Sequence, residues 1–336
     1  MLRGTLLTLA FLSMAALSVA GPITGEEAKR QAQVLDDLKS ALKKESKAAV
    51  RFELIGKAMK GEVSPDLRNR LLDLAASENG PEIESFLTTQ MAVDEDSGIR
   101  SQMATLLGKR GSEKSLAVLL HYAEKDKISL MVKGCIGGQS SARRSSIFAI
   151  AELAGRYPKI ADEAAAKLRS LPVKEDPEVR DNLADARNQA LYQITREEAL
   201  IAPFFQKLKS KEATERVNGI VAFRFLKLSK APIEVVETLK DADPSVRRWS
   251  ALVLGEIGDP KTADVLLATA NNAKEDVGVR CNAIDSIGRM KIPATAGPIE
   301  KLLMDADERV QTIAAIALYR ITGKKVKQFP AGYNAD

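Results

Sequence analysis

Few residues in this chain have the types and spacing that chemistry requires. The single histidine, His121, is followed by Tyr122 in "LLHYAEK". A lone imidazole serves as a catalytic base only beside an oriented serine or cysteine, and the sequence implies none there. One histidine also excludes multi-histidine metal sites. A second cluster, "KGCIGGQSSARR" at 133–144, joins Cys135 to Arg143 and Arg144 through a glycine-rich run. It fails the phosphate-loop pattern, because no Gly-Lys-Ser/Thr closes it. Its surplus length reads as a long loop between structural units, and such loops on rigid scaffolds often carry binding. His121, Tyr122, Cys135, Arg143 and Arg144, with Arg248 on another segment, are therefore the binding candidates. A ligand-binding or enzymatic site at 133–144 stands as the alternative to a purely structural role. No catalytic or metal constellation is visible, and no cofactor is implied.

A different pattern recurs. Asp96 precedes Arg100 by four residues, Asp176 precedes Arg180, Asp243 precedes Arg247 and Asp276 precedes Arg280, while Asp307 precedes Gln311 at the same spacing. Four residues is one helical turn, so each pair could meet on a helix surface. In "DADPSVRRWSALVLGEIGD" at 241–259 the arginine lies beside the apolar stripe of Val246, Ser250, Val253, Leu254 and Ile257. A buried guanidinium is costly unless paired, so these pairs are expected to form a structural ladder between repeats.

The elements that carry the ladder are themselves periodic. Copies of the stretch begin at Leu67, Ile99, Ala142, Val179, Val217, Val246, Val279 and Val310, at spacings between 29 and 43 residues. The copy at Val217 puts Asn218 under Arg247 and Ile220 under Trp249, the only tryptophan, which is read as a packing residue. The copy at 176–195 fits loosely, and its helix is expected to be about one turn longer. Between copies lie second apolar segments starting at Ser112, Pro232, Pro260 and Pro298. Each unit is thus helix, turn, helix, and one such pair cannot bury its own apolar faces without a neighbour.

Asp243, Pro244, Val246, Arg247, Ala251, Leu254, Gly255, Ile257, Gly258 and Asp259 follow the order D-P-x-V-R, A-A, L-G-x-I-G-D. On these residues the chain resembles HEAT-repeat proteins of the bacterial HEAT-like type found in phycobilisome lyases and secreted scaffolds. The resemblance covers about 66–323 and is strongest from 211. It implies an all-α, right-handed α-solenoid of about eight stacked helix pairs, whose second helices line a concave surface that usually binds another protein. It implies no particular reaction. The HEAT-repeat hydroxylases depend on paired His and Glu ligands, which a single histidine does not supply.

Composition and the two ends complete the reading. The 336 residues are 45% hydrophobic and 4% aromatic, with a net charge of +5. That suits alanine- and leucine-rich helices, and no strand signal appears. "MLRGTLLTLAFLSMAALSVA" at 1–20 reads as a secretory signal peptide, which makes export to the periplasm or beyond the cell the expected location. No other run approaches a membrane span. Segment 21–62 reads as N-terminal capping helices, with Ala28, Val34, Leu35, Leu38, Ala41 and Leu42 on one stripe. Segment 63–323 is the solenoid, and 324–336 is a tail that drapes over the final repeat or stays disordered. Cys135 and Cys281 sit several repeats apart, too far for a disulfide, so two free thiols are expected. The basic clusters are small, and no nucleic-acid partner is expected. The functional expectation is a non-catalytic, monomeric scaffold that binds a protein partner through an extended helical surface.

Overall fold

The structure is a computed structural model that describes residues 25–60, 64–78, 80–126, 142–173, 182–330 and 332–333. The signal-peptide reading of 1–20 lies outside these residues, as do Cys135, Asp176 and Arg180. Among them are α-helices, short 3-10 turns and no strand. The chain divides into two compact units after Arg196.

The first unit holds α1 (Gly25–Lys44), α2 (Ala48–Met59), α3 (Pro65–Ser77), α4 (Glu82–Val93), α5 (Ser97–Arg110), α6 (Ser115–Lys125), α7 (Ala142–Arg156), α8 (Ala161–Ser170) and α9 (Leu183–Thr195). The second holds α10 (Ala202–Leu208), α11 (Ala213–Ala222), α12 (Ile233–Glu237), α13 (Pro244–Ile257), α14 (Ala263–Asn271), α15 (Val277–Met290), α16 (Ala296–Lys301) and α17 (Glu308–Thr322). Odd-numbered helices from α3 onward are the first helices of pairs. Within each unit they pack on one another, α5 against α7, α13 against α15 and α15 against α17, while α7 meets α6 and α15 meets α14 across the pair. This is the side-by-side stacking of an α-solenoid.

Local sequence explains where the first helices start and stop. Asp96, Asp243, Asp276 and Asp307 are N-caps whose carboxylates accept first-turn N–H groups, Asp96 from Gly98 and Ile99 at 2.7 and 3.0 Å. Pro244 follows its cap at a position where a missing N–H costs nothing. Gly258 and Gly323 end α13 and α17 in the left-handed region, with φ of 71° and 76°.

Packing then follows the expected stripe. Val246, Ser250, Val253 and Leu254 of α13 are buried, and burying each of the three apolar side chains contributes about 1.5–3 kcal/mol. Close approach is set by glycine. A Cβ at Gly255 would meet Ser286 of α15 at 2.2 Å, and one at Gly288 would meet Ala317 of α17 at 2.7 Å. The same holds in the first unit, where a Cβ on Gly108 of α5 would fall 2.7 Å from Ala149 of α7. Small residues on both sides let adjacent helix backbones approach.

Three local expectations are corrected. On α1 the buried residues are Gln31, Leu35, Leu38 and Leu42, and Ala28 is exposed. Gln31 takes the inward place because its amide donates to Glu27 at 3.2 Å. The helix expected to be about one turn longer begins only at Leu183, behind Asn182, whose φ of 46° lies outside the right-handed helical region. Segment 133–144 is not all loop, since α7 already starts at Ala142 and includes Arg143 and Arg144. The 324–333 segment follows the draping alternative, with Phe329 against Tyr319 at 5.0 Å between ring centroids.

Candidate functional site

Among the described residues, the repeated arginines form a constellation that is found in each unit. Arg247 donates to Glu275 at 2.6 Å and to the carbonyls of Asp241 and Ala242 at 2.7 and 3.0 Å. Arg216 donates to both carboxylate oxygens of Asp241 at 2.7 and 2.8 Å and to the Ser210 carbonyl at 2.9 Å. Arg100 reaches Asp126 at 2.6 Å and the Asp94 carbonyl at 2.7 Å. Arg280 pairs with Asp305 at 2.5 Å and donates to the Ala270 carbonyl at 2.9 Å. Arg68 meets Asp94 at 3.2 Å. The guanidinium thus reaches forward to a carboxylate 25–28 residues ahead and, at Arg100, Arg216 and Arg247, back to the carbonyl six residues behind. Its planar fork of five donors suits a site with several acceptors in different directions.

This corrects the expected partners. Asp96, Asp243 and Asp276 do not pair with Arg100, Arg247 and Arg280; each is occupied as an N-cap. Side chains four apart on one helix were available to each other, but an N-cap lies off the helix and points its carboxylate at the first-turn amides. For Arg68, Arg216, Arg247 and Arg280 the true partner is the acid one or two residues before the next first helix's cap, and for Arg100 it is Asp126 at the end of α6. Asp94 accepts from the Asp96 N–H at 2.9 Å, Asp241 from Asp243 at 2.9 Å and Asp305 from Asp307 at 3.0 Å, while each also holds the preceding repeat's arginine. The signal was present in sequence as the recurring D-x-D at 94–96, 241–243 and 305–307. The copy at Val217 also shifts by one: Arg216 does what Arg247 does, so Asn218 lies under Trp249 and Ile220 does not. Trp249 is half-buried, with the Arg224 guanidinium 5.9 Å from its ring centroid.

Gln311 shows why the last copy tolerates a neutral residue. Its amide donates to the Asp305 carbonyl at 2.7 Å, the same six-residue step, and satisfies the turn without a charge. Arg51 makes the ladder contacts from a second helix, pairing with Glu78 at 2.5 Å and donating to the Glu45 carbonyl at 2.9 Å. The pattern therefore begins inside the segment assigned to the cap.

Of the binding candidates, the first unit brings several to the end of α6. His121 is exposed and meets Tyr122 edge-on at 5.2 Å. Arg143 is buried, with its Nε 3.4 Å from the Ala123 carbonyl. Burial raises the Tyr122 hydroxyl pKa. It also raises that of the Asp126 carboxyl, against the opposing pull of Arg100 and Arg143. Arg144 lies over the Phe148 ring at 5.2 Å. Arg248 is exposed on α13 in the other unit. Cys281 on α15 is half-buried, and burial pushes its thiol pKa up, the opposite of what a reactive thiolate needs. Among the described residues no three His, Cys, Asp or Glu gather as a metal-holding group. No described helix is long and apolar enough to cross a membrane.

Comparison with known proteins agrees with the repeat geometry in the second unit. Residues 201–278 match the family profile of HEAT repeats. No curated protein sequence matches. Among solved structures, human deoxyhypusine hydroxylase in complex with glycerol is 15% identical, covering 82% of this chain and 98% of that one, with a TM-score of 0.36. YibA of E. coli is 18% identical, covering 82% of this chain and 97% of that one, with a TM-score of 0.34. Scores this low carry no argument, so the fold rests on the chain's own stacked pairs and on the profile match. What the match shows is a stretch of HEAT repeats at residues 201–278 of this chain.

Proposed function

We propose that this chain is a non-catalytic, exported scaffold that binds a protein partner along its rows of second helices. One observation carries the reading: the cations that could have formed an anion-binding row are engaged by the stack itself, through the next repeat's carboxylate and the preceding turn's carbonyls. Their chemistry is architectural. What the stack leaves outside is a series of helix faces in regular succession, including exposed Glu124 on α6, Asp162 and Glu163 on α8, Glu234 on α12 and Asp264 on α14. Such faces offer many modest contacts spread over a long surface. Export rests on the charge and apolar pattern of residues 1–20.

The test is affinity capture from envelope and culture-medium extract with the chain from Gly21 onward. Two variants accompany it: Glu124→Lys with Asp162→Lys on second helices, and Arg248→Glu on a first helix. A partner retained by the parent and by Arg248→Glu but lost with the second-helix charges is the expected result. Capture of nothing overturns the scaffold reading. Capture lost only with Arg248→Glu moves the surface to the first helices.

A further inference from the structure

The side of α17 that points onward along the stack differs from its counterparts in earlier repeats. Eight residues after the ladder position, α5, α13 and α15 carry Gly108, Gly255 and Gly288, and each glycine receives the next first helix at a distance no Cβ tolerates. Counting the same eight from Gln311 reaches Tyr319. A phenol ring there removes the flat seat that close helix stacking needs. In the 3-10 turn that follows α11 the corresponding residue is Arg224, which instead reaches across to Glu256 of α13 with bonds of 2.5 and 2.8 Å.

Tyr319 is in turn covered. Residues 324–330 and 332–333 lie so that Phe329 packs on Tyr319 at 5.0 Å and on Tyr333 at 5.7 Å. Lys325 places its ammonium 5.0 Å from the Phe329 ring centroid and 5.7 Å from that of Tyr319. Arg320 of α17 pairs with Asp285 at 2.5 Å and donates to the Tyr333 hydroxyl at 2.8 Å, tying the segment to α15 through one guanidinium. Gln328 donates to the Leu303 carbonyl at 3.3 Å, so the second-helix side is held as well.

We propose that Tyr319 and segment 324–333 form an end-stop, which closes the stacking face of α17 against a second copy of this chain. An open solenoid end presents an apolar face of the kind its own repeats bury, and terminal repeats need a different outer surface to stay unassociated. Opening the face exposes a helix side already shaped to pack on another, and two identical faces meet as a two-fold pair.

The experiment is sedimentation velocity on the full chain across a wide concentration range, with helical circular dichroism as the folding control. The parent is expected to sediment at one concentration-independent rate. Tyr319→Gly combined with Phe329→Ala restores the small residue and removes its cover, and is expected to sediment faster as concentration rises. A folded double variant that sediments like the parent overturns the proposal, as does a parent that already associates. Should the double variant lose its helical signal, Phe329→Ala alone decides. Its concentration-dependent association, reversed by an excess of the 324–336 peptide, supports the stop; its absence refutes it.

Discussion

The two units use one ladder in two electrostatic settings. In the first, the carboxylate side chains of Asp94 and Asp126 are only 5% and 1% exposed, and burial raises both above the usual carboxyl range despite their arginines. In the second, the acids are more open. Asp305 lies below that range, chiefly through the Arg280 hydrogen bond. Asp241 is lowered too: burial pulls it up, but the Arg216 bond and the Asp243 N–H together outweigh that pull. The ionised carboxylate is thus disfavoured by its surroundings in one unit and favoured in the other. A buried ion pair fixes geometry whether or not it adds stability, because breaking it strands a charge.

The largest effect that would sharpen this contrast is loss of one cation. Arg100→Ala leaves Asp126 buried and charged, and is expected to cost about 3–5 kcal/mol in chemical denaturation. Replacing both, Arg100→Met with Asp126→Leu, should recover most of that loss. Arg247→Ala strands the less buried Glu275 and should cost about 1–3 kcal/mol. Equal losses at Arg100 and Arg247 would break the distinction between the units.

Helix approach is the next largest effect, and here the units should agree. Gly108→Ala and Gly255→Ala each force a methyl into the neighbouring first helix and should cost about 1–3 kcal/mol. Gly155→Ala on α7 meets nothing within 4 Å and should instead stabilise by about 0.5–1 kcal/mol, since alanine is the better helix former. Thermal unfolding of the three variants checks both signs.

The smallest effect is the response to acid, and its sign differs between the ladder acids Asp94 and Asp126 of the first unit and Asp241 and Asp305 of the second. A carboxyl raised by burial opposes folding while ionised, so the cost at Asp94 and Asp126 fades as pH falls through their folded values. A carboxyl held low contributes stability above its unfolded pKa and loses it as pH falls toward the folded one. Asp241, Asp305 and Asp307 are of this kind, and the Arg309 hydrogen bond is the main reason Asp307 lies at about 2. Between about pH 4 and pH 2, segment-resolved hydrogen exchange should therefore show the starts of α13 and α17, beside these acids, losing protection before α5, whose Arg100 pairs with Asp126. The reverse order would contradict the assignment.

Much of this was legible in residue order. Period, helix starts and the apolar stripe follow from local rules: Asp243 and Pro244 mark a start because of orphan amides, and Val246 to Leu254 mark a face because of the helical repeat. The candidate site was less legible. Arg143 and Arg144 both read as binding candidates at the 133–144 loop, yet Arg143 lies buried against α6 while Arg144 beside it covers Phe148. Adjacent residues on a helix point about 100° apart, and only the neighbouring helix decides which of the two is covered.

The sequence by itself determined that helices pair and stack, because apolar periodicity demands a partner surface and thirty-odd residues supply only one pair at a time. It also determined that the ladder arginines needed acceptors. Which acceptors was decided by tertiary structure alone. Asp243 is four residues from Arg247, and Glu275 is twenty-eight away in the next repeat. The near acid is held by its own helix's amides, and stacking brings the far one to 2.6 Å. Sequence proximity offers a partner, but backbone groups compete for it first, and the geometry of the neighbouring repeat settles what remains.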